Sequence, residues 1–306
     1  MVFEKSDAPG GLLRYGIPDF KLNKRIIDRR IEVFINEGIQ FKTGVALGKH
    51  FGIQELVAKF DAVLIAMGAE MPRDLKVEGR ELDGVCFAMD FLKKQNRVVA
   101  GVEKHDNDFL SAKDKKVLVI GGGDTGSDCV GTAIRQQAAS VTQIEILSKP
   151  PEERSVNNPW PYWPNVLRTS NSHEEGCERR WGLATRRFIG EKGRLKKVEV
   201  VKVRWERNEN EEMRMFEING TNEFIDAEMV LLALGFLHPV HDELLKIDRL
   251  KFDDRGNIKT DNNKYTGVEK IFAAGDVERG ASLVVHAIEA GEKAAVGINA
   301  FLKYSE

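Results

Sequence analysis

Apolar runs alternate with amphipathic patterns along most of the 306-residue chain. Each apolar run is rich in β-branched or aliphatic residues and ends at a turn, which is typical of a strand. The runs are MVF (1–3), IQFKTGVAL (39–47), DAVLIAMG (61–68), KKVLVI (115–120), SVTQIEIL (140–147), DAEMVLLALG (226–235) and KIFAAGD (270–276). Helices are expected over 21–38, where Ile27, Ile31 and Phe34 follow helical spacing, and over 286–302. This alternation predicts an α/β protein with mostly parallel sheets, and residues 194–206 and 213–218 add an antiparallel pair.

Two of the predicted strands resemble each other. Residues 61–68 and 226–235 are apolar strands that begin with Asp-Ala, end in glycine and have a proline soon after. Glycine at these ends allows a sharp turn and a close approach of the backbone to a ligand. The echo predicts two similar dinucleotide-binding units, one inserted into the other; the alternative is that all buried parallel strands share this pattern.

The strongest chemical signal is KKVLVIGGGDTG, at residues 115–126. A strand leads into Gly121, Gly123 and Gly126 with dinucleotide-binding spacing, and SDCVGTAIRQQ continues as a helix. Gly121 would permit the tight turn, Gly123 the approach of backbone N–H groups to a pyrophosphate, and Gly126 the packing of helix on strand. The predicted nucleotide contacts are Gly121, Gly122, Gly123, Asp124, Thr125 and Gly126.

The sequence leaves the choice between NADH and NADPH open. Glu145 stands near the end of the next strand, where an acid favours a free ribose 2′-hydroxyl. Lys149 and Arg154 follow closely, and either could bind a 2′-phosphate. Each of the three could equally be a solvated surface charge.

A second signal lies at the end of KIFAAGD. Asp276 follows Gly275 directly after the strand, where its carboxylate could hold a polyol hydroxyl, although a structural helix cap explains it equally well. Ser282 then begins a helix. His286, in that helix, is expected to pack, and His173 is expected at the surface because its neighbours are charged.

Bulk composition narrows the function classes. A net charge of −2 gives no electrostatic case for nucleic acid or an anionic membrane, and no apolar run is long enough to span a bilayer. Cys86, Cys129 and Cys177 lie far apart, so no iron–sulfur or metal site is expected. Without a signal-peptide pattern, the expected location is the cytoplasm.

Several motifs together resemble the small (β) subunit of glutamate synthase, and more widely the FAD- and NAD(P)H-dependent oxidoreductases with two dinucleotide folds. They span nearly the whole chain: PGGLLRYGIPDFKL (9–22), VIGGGDTGSDCVGTAIRQ (119–136), SVTQIEILSKPPEER (140–154), NPWPYWP (158–164) and IFAAGDVERGASLVVHAIEAG (271–291). The resemblance implies FAD contacts at Glu4, Gly10, Gly11, Leu12, Arg14, Tyr15, Gly275, Asp276, Ser282, Leu283 and Val284.

The resemblance also implies an organisation. An incomplete FAD domain would comprise residues 1–74 and 241–306, with an NAD(P) domain at 75–240. The family's iron–sulfur domain and first FAD strand have no counterpart, so the chain would begin at the second FAD strand. Stable FAD binding by this chain alone is therefore not expected.

The implied activity is hydride transfer from NADPH or NADH to FAD, with electrons passed onward for glutamate synthesis from glutamine and 2-oxoglutarate. No catalytic side chain is required, and the implied partner is the large (α) subunit. The alternatives are another flavin electron-input subunit and an NAD(P)-binding module without turnover. The loop around Trp160 and Trp163 would cover the nucleotide or meet a partner, or else be a rigid surface excursion.

Overall fold

The computed structural model describes residues 1–104, 110–162, 164–208 and 212–304, so Trp163 lies outside the described residues. The strands are β1 Val2–Phe3, β2 Phe41–Lys42, β3 Val63–Ile65, β4 Val85–Phe87, β5 Lys116–Ile120, β6 Ser140–Glu145, β7 Glu178–Trp181, β8 Leu183–Glu191, β9 Arg194–Arg207, β10 Met213–Glu217, β11 Glu223–Asp226, β12 Met229–Leu232 and β13 Ile271–Ala273. The helices are α1 Gly11–Tyr15, α2 Lys24–Asn36, α3 Ile53–Lys59, α4 Ala88–Val99, α5 Asp124–Arg135, α6 Asn171–Glu174, α7 Asp276–Arg279 and α8 Val284–Tyr304, with a 3₁₀ turn at Leu244–Lys246.

The chain folds into two compact units. The first comprises Met1–Pro9, Arg30–Arg73 and Gly235–Glu306, and the second comprises Gly10–Arg29 and Asp74–Leu234. The second unit is thus inserted into the first, as the similarity between residues 61–68 and 226–235 predicted. Gly10–Arg29 clusters with the second unit, although the sequence analysis placed it in the FAD domain. The functional division into FAD and NAD(P) domains stays a prediction.

The second unit is built on a five-stranded parallel sheet in the order β4-β12-β5-β6-β7. Alternate side chains of β5 enter two different cores, as the period of two in a strand requires. Val117 and Val119 pack with residues of α4 and α5, whereas Leu118 and Ile120 pack with residues of β8 and β9. Because both faces are covered, the strand is apolar at nearly every position.

A four-stranded antiparallel sheet supplies the second of these covers. β9 pairs with β8, β10 and β11, and Met213–Glu217 lies in register with Arg207–Val203. The predicted antiparallel pair is therefore confirmed. β9 is long enough to join all three neighbours.

The first unit contains two short parallel pairs, β1 with β2 and β13 with β3. The run 39–47 forms a strand only at Phe41–Lys42, since Gly44 adopts a positive φ and ends the extended segment. The run 61–68 forms a strand at Val63–Ile65, in which Ile65 is buried but Leu64 is exposed. In the part of the unit that the structure describes, β3 has β13 as its strand neighbour.

Helix α2 covers most of the predicted span 21–38, and α8 covers the span 286–302. Ile27 is buried, as a core-facing position of α2 should be. Of the described helices, none is both long and apolar enough to cross a membrane.

Replacing Leu118 with alanine tests whether β5 carries the core of the second unit. Leu118 has no exposed surface, so Leu118→Ala should lower the free energy of unfolding by about 2–5 kcal/mol. Urea unfolding followed by circular dichroism measures this. Val156→Ala is the control, since Val156 is 92% exposed and its truncation should change the free energy of unfolding by less than about 0.5 kcal/mol. Equal effects of the two substitutions would contradict this account of the core.

Candidate functional site

The glycine-rich loop joins β5 to α5 with very little space around its first glycine. Gly121 has φ +121°, a conformation that side chains disfavour. A Cβ built on Gly121 would lie 2.3 Å from the carbonyl oxygen of Ala233, at the end of the neighbouring strand β12. The backbone of the loop is therefore pressed against the sheet, and glycine is required there.

The other two glycines of the motif have opposite environments. A Cβ on Gly126 would lie 2.3 Å from the carbonyl oxygen of Gly121, so the helix packs directly on the loop. A Cβ on Gly123 would have no atom within 4 Å. Gly123 is the N-cap of α5, and no side chain among the described residues caps the first N–H groups of this helix. Asp124 and Thr125 are the first two residues of that helix.

Glu145, the last residue of β6, lies against this loop. Its Oε2 accepts a hydrogen bond from the backbone N–H of Gly122 at 2.5 Å, and its Oε1 accepts one from Leu147 at 3.1 Å. The carboxylate is therefore held at the loop by two backbone N–H groups.

The two predicted phosphate-binding cations are engaged elsewhere. The Lys149 ammonium pairs with Glu152 at 3.2 Å and lies 5.8 Å from the centre of the Trp181 ring. Arg154 donates hydrogen bonds to the backbone carbonyls of Asn158 and Tyr162 at 3.2 and 2.9 Å. These bonds hold together the loop around Trp160, which is called the proline-rich loop below.

A buried side-chain network supports the loop from beneath. The amide nitrogen of Gln143 donates to the carbonyl oxygen of Gly121 at 2.8 Å, and its amide oxygen lies 2.9 Å from Nε2 of His173. The backbone N–H of Ser170 donates to Nδ1 of His173 at 3.1 Å. Since Nδ1 is an acceptor, Nε2 carries the proton and donates to Gln143. The imidazole in this network is neutral.

The network continues to an ion pair between Lys21, which is partly exposed, and the buried Asp128. The hydroxyl oxygen of Ser170 lies 3.2 Å from Nδ1 of His173 and 2.6 Å from the hydroxyl oxygen of Ser127. Lys21 donates to Ser127 at 3.0 Å and pairs with Asp128 at 2.5 Å. Each group can then donate a hydrogen bond to the next, from the Lys21 ammonium through the two serine hydroxyls, the imidazole and the glutamine amide to the loop carbonyl.

His173 is buried, so the expectation of a surface position is wrong. Burial, together with the nearby cations of Arg179 and Lys21, lowers the pKa of its imidazole to about 4. The charged residues that suggested a surface segment lie around a buried ring. The lowered pKa agrees with the neutral tautomer that the hydrogen bonds require.

In the first unit, Glu4 and Asp276 occupy the ends of strands. Glu4 follows β1 and accepts a hydrogen bond from the N–H of Ser6 at 2.7 Å. Gly275, with φ +81°, is the N-cap of α7, and Asp276 is the first residue of that helix, with no side-chain capping bond. Asp276 accepts a hydrogen bond from the Ser282 hydroxyl at 3.1 Å, and burial raises the pKa of its carboxyl. Leu283 and Val284, which follow Ser282 in the sequence, have exposed side chains.

The segment around α1 belongs to the second unit. Gly10 and Gly11 have φ values of +129° and +49°. Tyr15 is buried, Leu12 is exposed, and Arg14 pairs with Asp28 at 2.6 Å. The carbonyl oxygen of Tyr15 accepts a hydrogen bond from the Asn96 amide at 2.9 Å. The segment is thus anchored within its own unit.

The proline-rich loop presents aromatic side chains to solvent. Trp160 is 83% exposed and Tyr162 is 67% exposed. These two aromatics therefore do not pack the loop upon itself. Covering a nucleotide or meeting a partner stays a prediction.

Comparison with known proteins identifies the family. The family model for pyridine nucleotide-disulphide oxidoreductases matches residues 25–291. The chain belongs to the pyridine nucleotide-disulphide oxidoreductase family. Within this family, the chain is 43% identical to the glutamate synthase [NADPH] small chain of Mycobacterium tuberculosis over 98% of its own length. It is 42% identical to glutamate synthase [NADH] of Schizosaccharomyces pombe over 96% of its length. These matches confirm the resemblance stated from the motifs.

The chain spans 61% of that bacterial small chain and 14% of the yeast enzyme. Solved structures share its fold at lower identity. FprA of Mycobacterium tuberculosis in complex with NADPH gives a TM-score of 0.73 at 16% identity, covering 99% of this chain and 77% of FprA. Thioredoxin reductase of T. acidophilum gives 0.65 at 16% identity, covering 99% of this chain and 90% of that one. The predicted α/β fold of two dinucleotide-binding units is confirmed.

Sequence reasoning missed the network beneath the glycine-rich loop. A polar residue in the middle of an apolar strand was a usable signal for Gln143. His173, Ser170 and Lys21 carried no comparable signal, since they are distant in sequence and stand among other polar residues. Only the fold brings them to one place.

Gly123→Ala tests whether the open space at the loop is a nucleotide site. The backbone of Gly123, with φ −79°, suits alanine, and the new methyl group would meet no protein atom. We expect an unchanged melting temperature but an affinity for NADH and NADPH reduced by about 10-fold, since a methyl group would stand where a phosphate approaches the N–H groups. Calorimetric titration measures the affinity.

Gly126→Ala is the matched comparison, because its methyl group would collide with the Gly121 carbonyl and lower the melting temperature. A Gly123→Ala protein that binds both nucleotides like the wild type would place the phosphate elsewhere.

The buried histidine predicts a pH dependence of stability. The pKa of His173 is about 4 in the folded protein and 6.5 in its ordinary state, so only the unfolded chain takes up the proton between these values. The free energy of unfolding should fall as the pH drops from about 6.5 to about 4. The His173→Gln protein should lose less stability over that range. Urea unfolding at several pH values gives the slopes, with His50→Gln as an exposed control. Parallel slopes for wild type and His173→Gln would refute the neutral buried imidazole.

Proposed function

We propose that this chain is the nucleotide-oxidising part of a glutamate synthase small-subunit-like protein. It would take hydride from NADH or NADPH to FAD and pass electrons onward to a large subunit, for glutamate synthesis from glutamine and 2-oxoglutarate. The observation that carries the proposal is the loop Gly121–Gly126 with Glu145 bound to it, in a chain similar to glutamate synthase small chains over 98% of its length. A cytoplasmic location belongs to the same proposal.

The residues of the loop fit a nicotinamide dinucleotide. The uncapped first turn of α5 and the open space at Gly123 would accept the pyrophosphate, because N–H groups and the helix dipole favour an anion there. Gln143 would hold the loop in place through the Gly121 carbonyl. Glu145 would lie beside the adenosine ribose, and Lys149 and Arg154 would have to leave their present partners to bind a 2′-phosphate.

The residues of the first unit fit parts of FAD. Glu4 would accept a hydrogen bond from the adenosine ribose, and Asp276, a partly buried carboxylate with Ser282 as its donor, would accept one from the polyol chain. Leu283 and Val284 offer exposed apolar surface for the ring. The described residues of this unit supply no second glycine-rich turn like that after β5 for the pyrophosphate. FAD contacts by Gly10, Gly11, Leu12, Arg14 and Tyr15 belong to the same proposal and rest on the resemblance.

Bound FAD would supply a two-electron acceptor that releases electrons singly. The polypeptide would bind and orient the two cofactors and keep Asp276 available to a hydroxyl group. No side-chain acid or base is needed for the hydride step.

The proposal is tested by adding FAD to the purified chain and titrating it anaerobically with NADH and then NADPH. A bound flavin whose absorbance near its visible band bleaches with either nucleotide would support the oxidoreductase. Adding a large subunit should then give glutamate from glutamine and 2-oxoglutarate. A colourless chain that still binds nucleotide would instead favour the alternative, an NAD(P)-binding module without turnover.

Glu145→Gln tests how the nucleotide is selected. Glutamine keeps an acceptor for the N–H of Gly122 but removes the charge that would repel a 2′-phosphate. We expect the ratio of NADPH affinity to NADH affinity to rise by about 10-fold, equivalent to about 1.4 kcal/mol of relieved repulsion. Calorimetry with both nucleotides gives the ratio, with Glu191→Gln as an exposed control away from the loop. An unchanged ratio would remove Glu145 from the selection.

A further inference from the structure

A cavity of about 450 Å³ lies within the first unit, outside the residues assigned above to the nucleotides. Its walls include three arginines, Arg73, Arg255 and Arg279, together with Leu237, His238 and Asn257. None of the described residues that line the cavity is acidic. A concave wall whose formal charges are all positive needs a physical explanation, because three like charges at one cavity repel each other.

The backbones that carry the three arginines are fixed. The N–H of Arg73 donates a hydrogen bond to the carbonyl of Gly235 at 2.9 Å. This bond belongs to a short antiparallel pairing between the segments that follow residues 61–68 and 226–235. Asp253 accepts hydrogen bonds from the N–H groups of Arg255 and Asn257 at 2.9 and 2.8 Å. The N–H of Arg279 donates to the carbonyl of Gly275 at 3.0 Å. The cavity is therefore formed in advance of any ligand.

The arginine side chains make longer-range electrostatic contacts, Arg255 with Asp253 and Arg279 with Asp276. Within the described ranges of the chain, the guanidinium groups of Arg73, Arg255 and Arg279 form no hydrogen bond or ion pair. The nearby carboxylates have other partners. Glu278 pairs with Lys264 at 3.0 Å, and Asp276 accepts from Ser282. Asp253 is occupied by its own turn. Three guanidinium groups are thus available to one occupant.

We propose that this cavity binds a small organic anion that carries at least two carboxylate or phosphate groups. A guanidinium fork matches the oxygens of either group in a bidentate manner, and an anion with two such groups would neutralise the repulsion among the arginines. The lining residues Arg279–Ala281 lie between Asp276 and Ser282 in the sequence, but the proposal uses neither of those two side chains and does not rest on the proposed function.

The remaining wall indicates that the occupant is organic. Phe236 and Leu237 add apolar surface, and the rings of His238 and His241 stack at 4.2 Å behind it. Asn257 is 1% exposed, and its amide oxygen receives no hydrogen bond from the residues that the structure describes. An unsatisfied buried acceptor at a cavity wall is a feature of binding sites, and a hydroxyl group on the ligand would be a suitable donor after a small shift.

Calorimetric titration of the chain at about 0.15 M salt tests the site, because this ionic strength screens weak surface attraction. Citrate represents the carboxylate source and inorganic pyrophosphate the phosphate source. We expect saturable 1:1 binding of at least one of them. Arg73→Gln, Arg255→Gln and Arg279→Gln should each reduce that affinity by about 10-fold, as expected for losing one charge-assisted pair. Tighter binding of citrate or of pyrophosphate then identifies the source.

Arg30→Gln is the matched control, since Arg30 is an exposed arginine of the same unit that does not line the cavity. It should leave the affinity unchanged. Circular dichroism and the melting temperature establish that each variant is folded, and Arg→Lys at the same three positions should restore part of the affinity by restoring the charge without the fork. The proposal would be overturned if neither anion showed saturable binding up to about 10 mM, a concentration that corresponds to a binding free energy of only about 3 kcal/mol. An equal loss with Arg30→Gln would do the same.

Discussion

The close approach of the loop backbone to the sheet is the constraint on which the second unit depends. A Cβ at Gly121 would meet the Ala233 carbonyl, and a Cβ at Gly126 would meet the Gly121 carbonyl, each at 2.3 Å. These two contacts fix the start of α5 against the ends of β5 and β12. The N–H groups of the first helical turn then point into the space above Gly123. An anion bound there would be held by the backbone and not by side-chain charge, so the geometry of the glycines matters more than nearby lysines or arginines.

The same closeness explains the buried network. With the loop pressed on the sheet, the Gly121 carbonyl faces inward, where an unsatisfied oxygen would be costly. Gln143 supplies its donor, and the amide oxygen of Gln143 then needs a donor of its own, which His173 provides. A protonated imidazole could not also accept the N–H of Ser170. The arrangement therefore requires the neutral ring that burial favours, and protonation would disturb the support of the glycine-rich loop.

Local sequence patterns correctly predicted those strands, turns and helices that short-range interactions determine. The apolar period gave β5, β6 and β12, and the spacing of Gly121, Gly123 and Gly126 predicted the turn and the helix. Predictions failed where contacts between distant segments decide. The charged residues around His173 suggested solvent, but the fold buries its ring against Gln143. The extended run after residue 39 stops at Gly44 because of a single backbone angle. Nothing in the spacing of Arg73, Arg255 and Arg279 could show that two loops and the end of α7 place them around one cavity.

The echoed strands connect these observations. Gly68 and Gly235 both have a positive φ, and the segments that follow them pair with each other at Pro72 and Phe236. In dinucleotide folds, a glycine turn of this kind brings the backbone close to a ligand. Here the turns at Gly68 and Gly235 lead into the paired segments that carry Arg73. The two units would thus recognise anions by different physics. Backbone N–H groups at a glycine loop act only at short range and need a rigid loop, whereas long arginine side chains reach a ligand from a fixed turn. Because the arginine heads are exposed, binding in the cavity should weaken as salt rises, and the loop, where hydrogen bonds dominate, should be less sensitive.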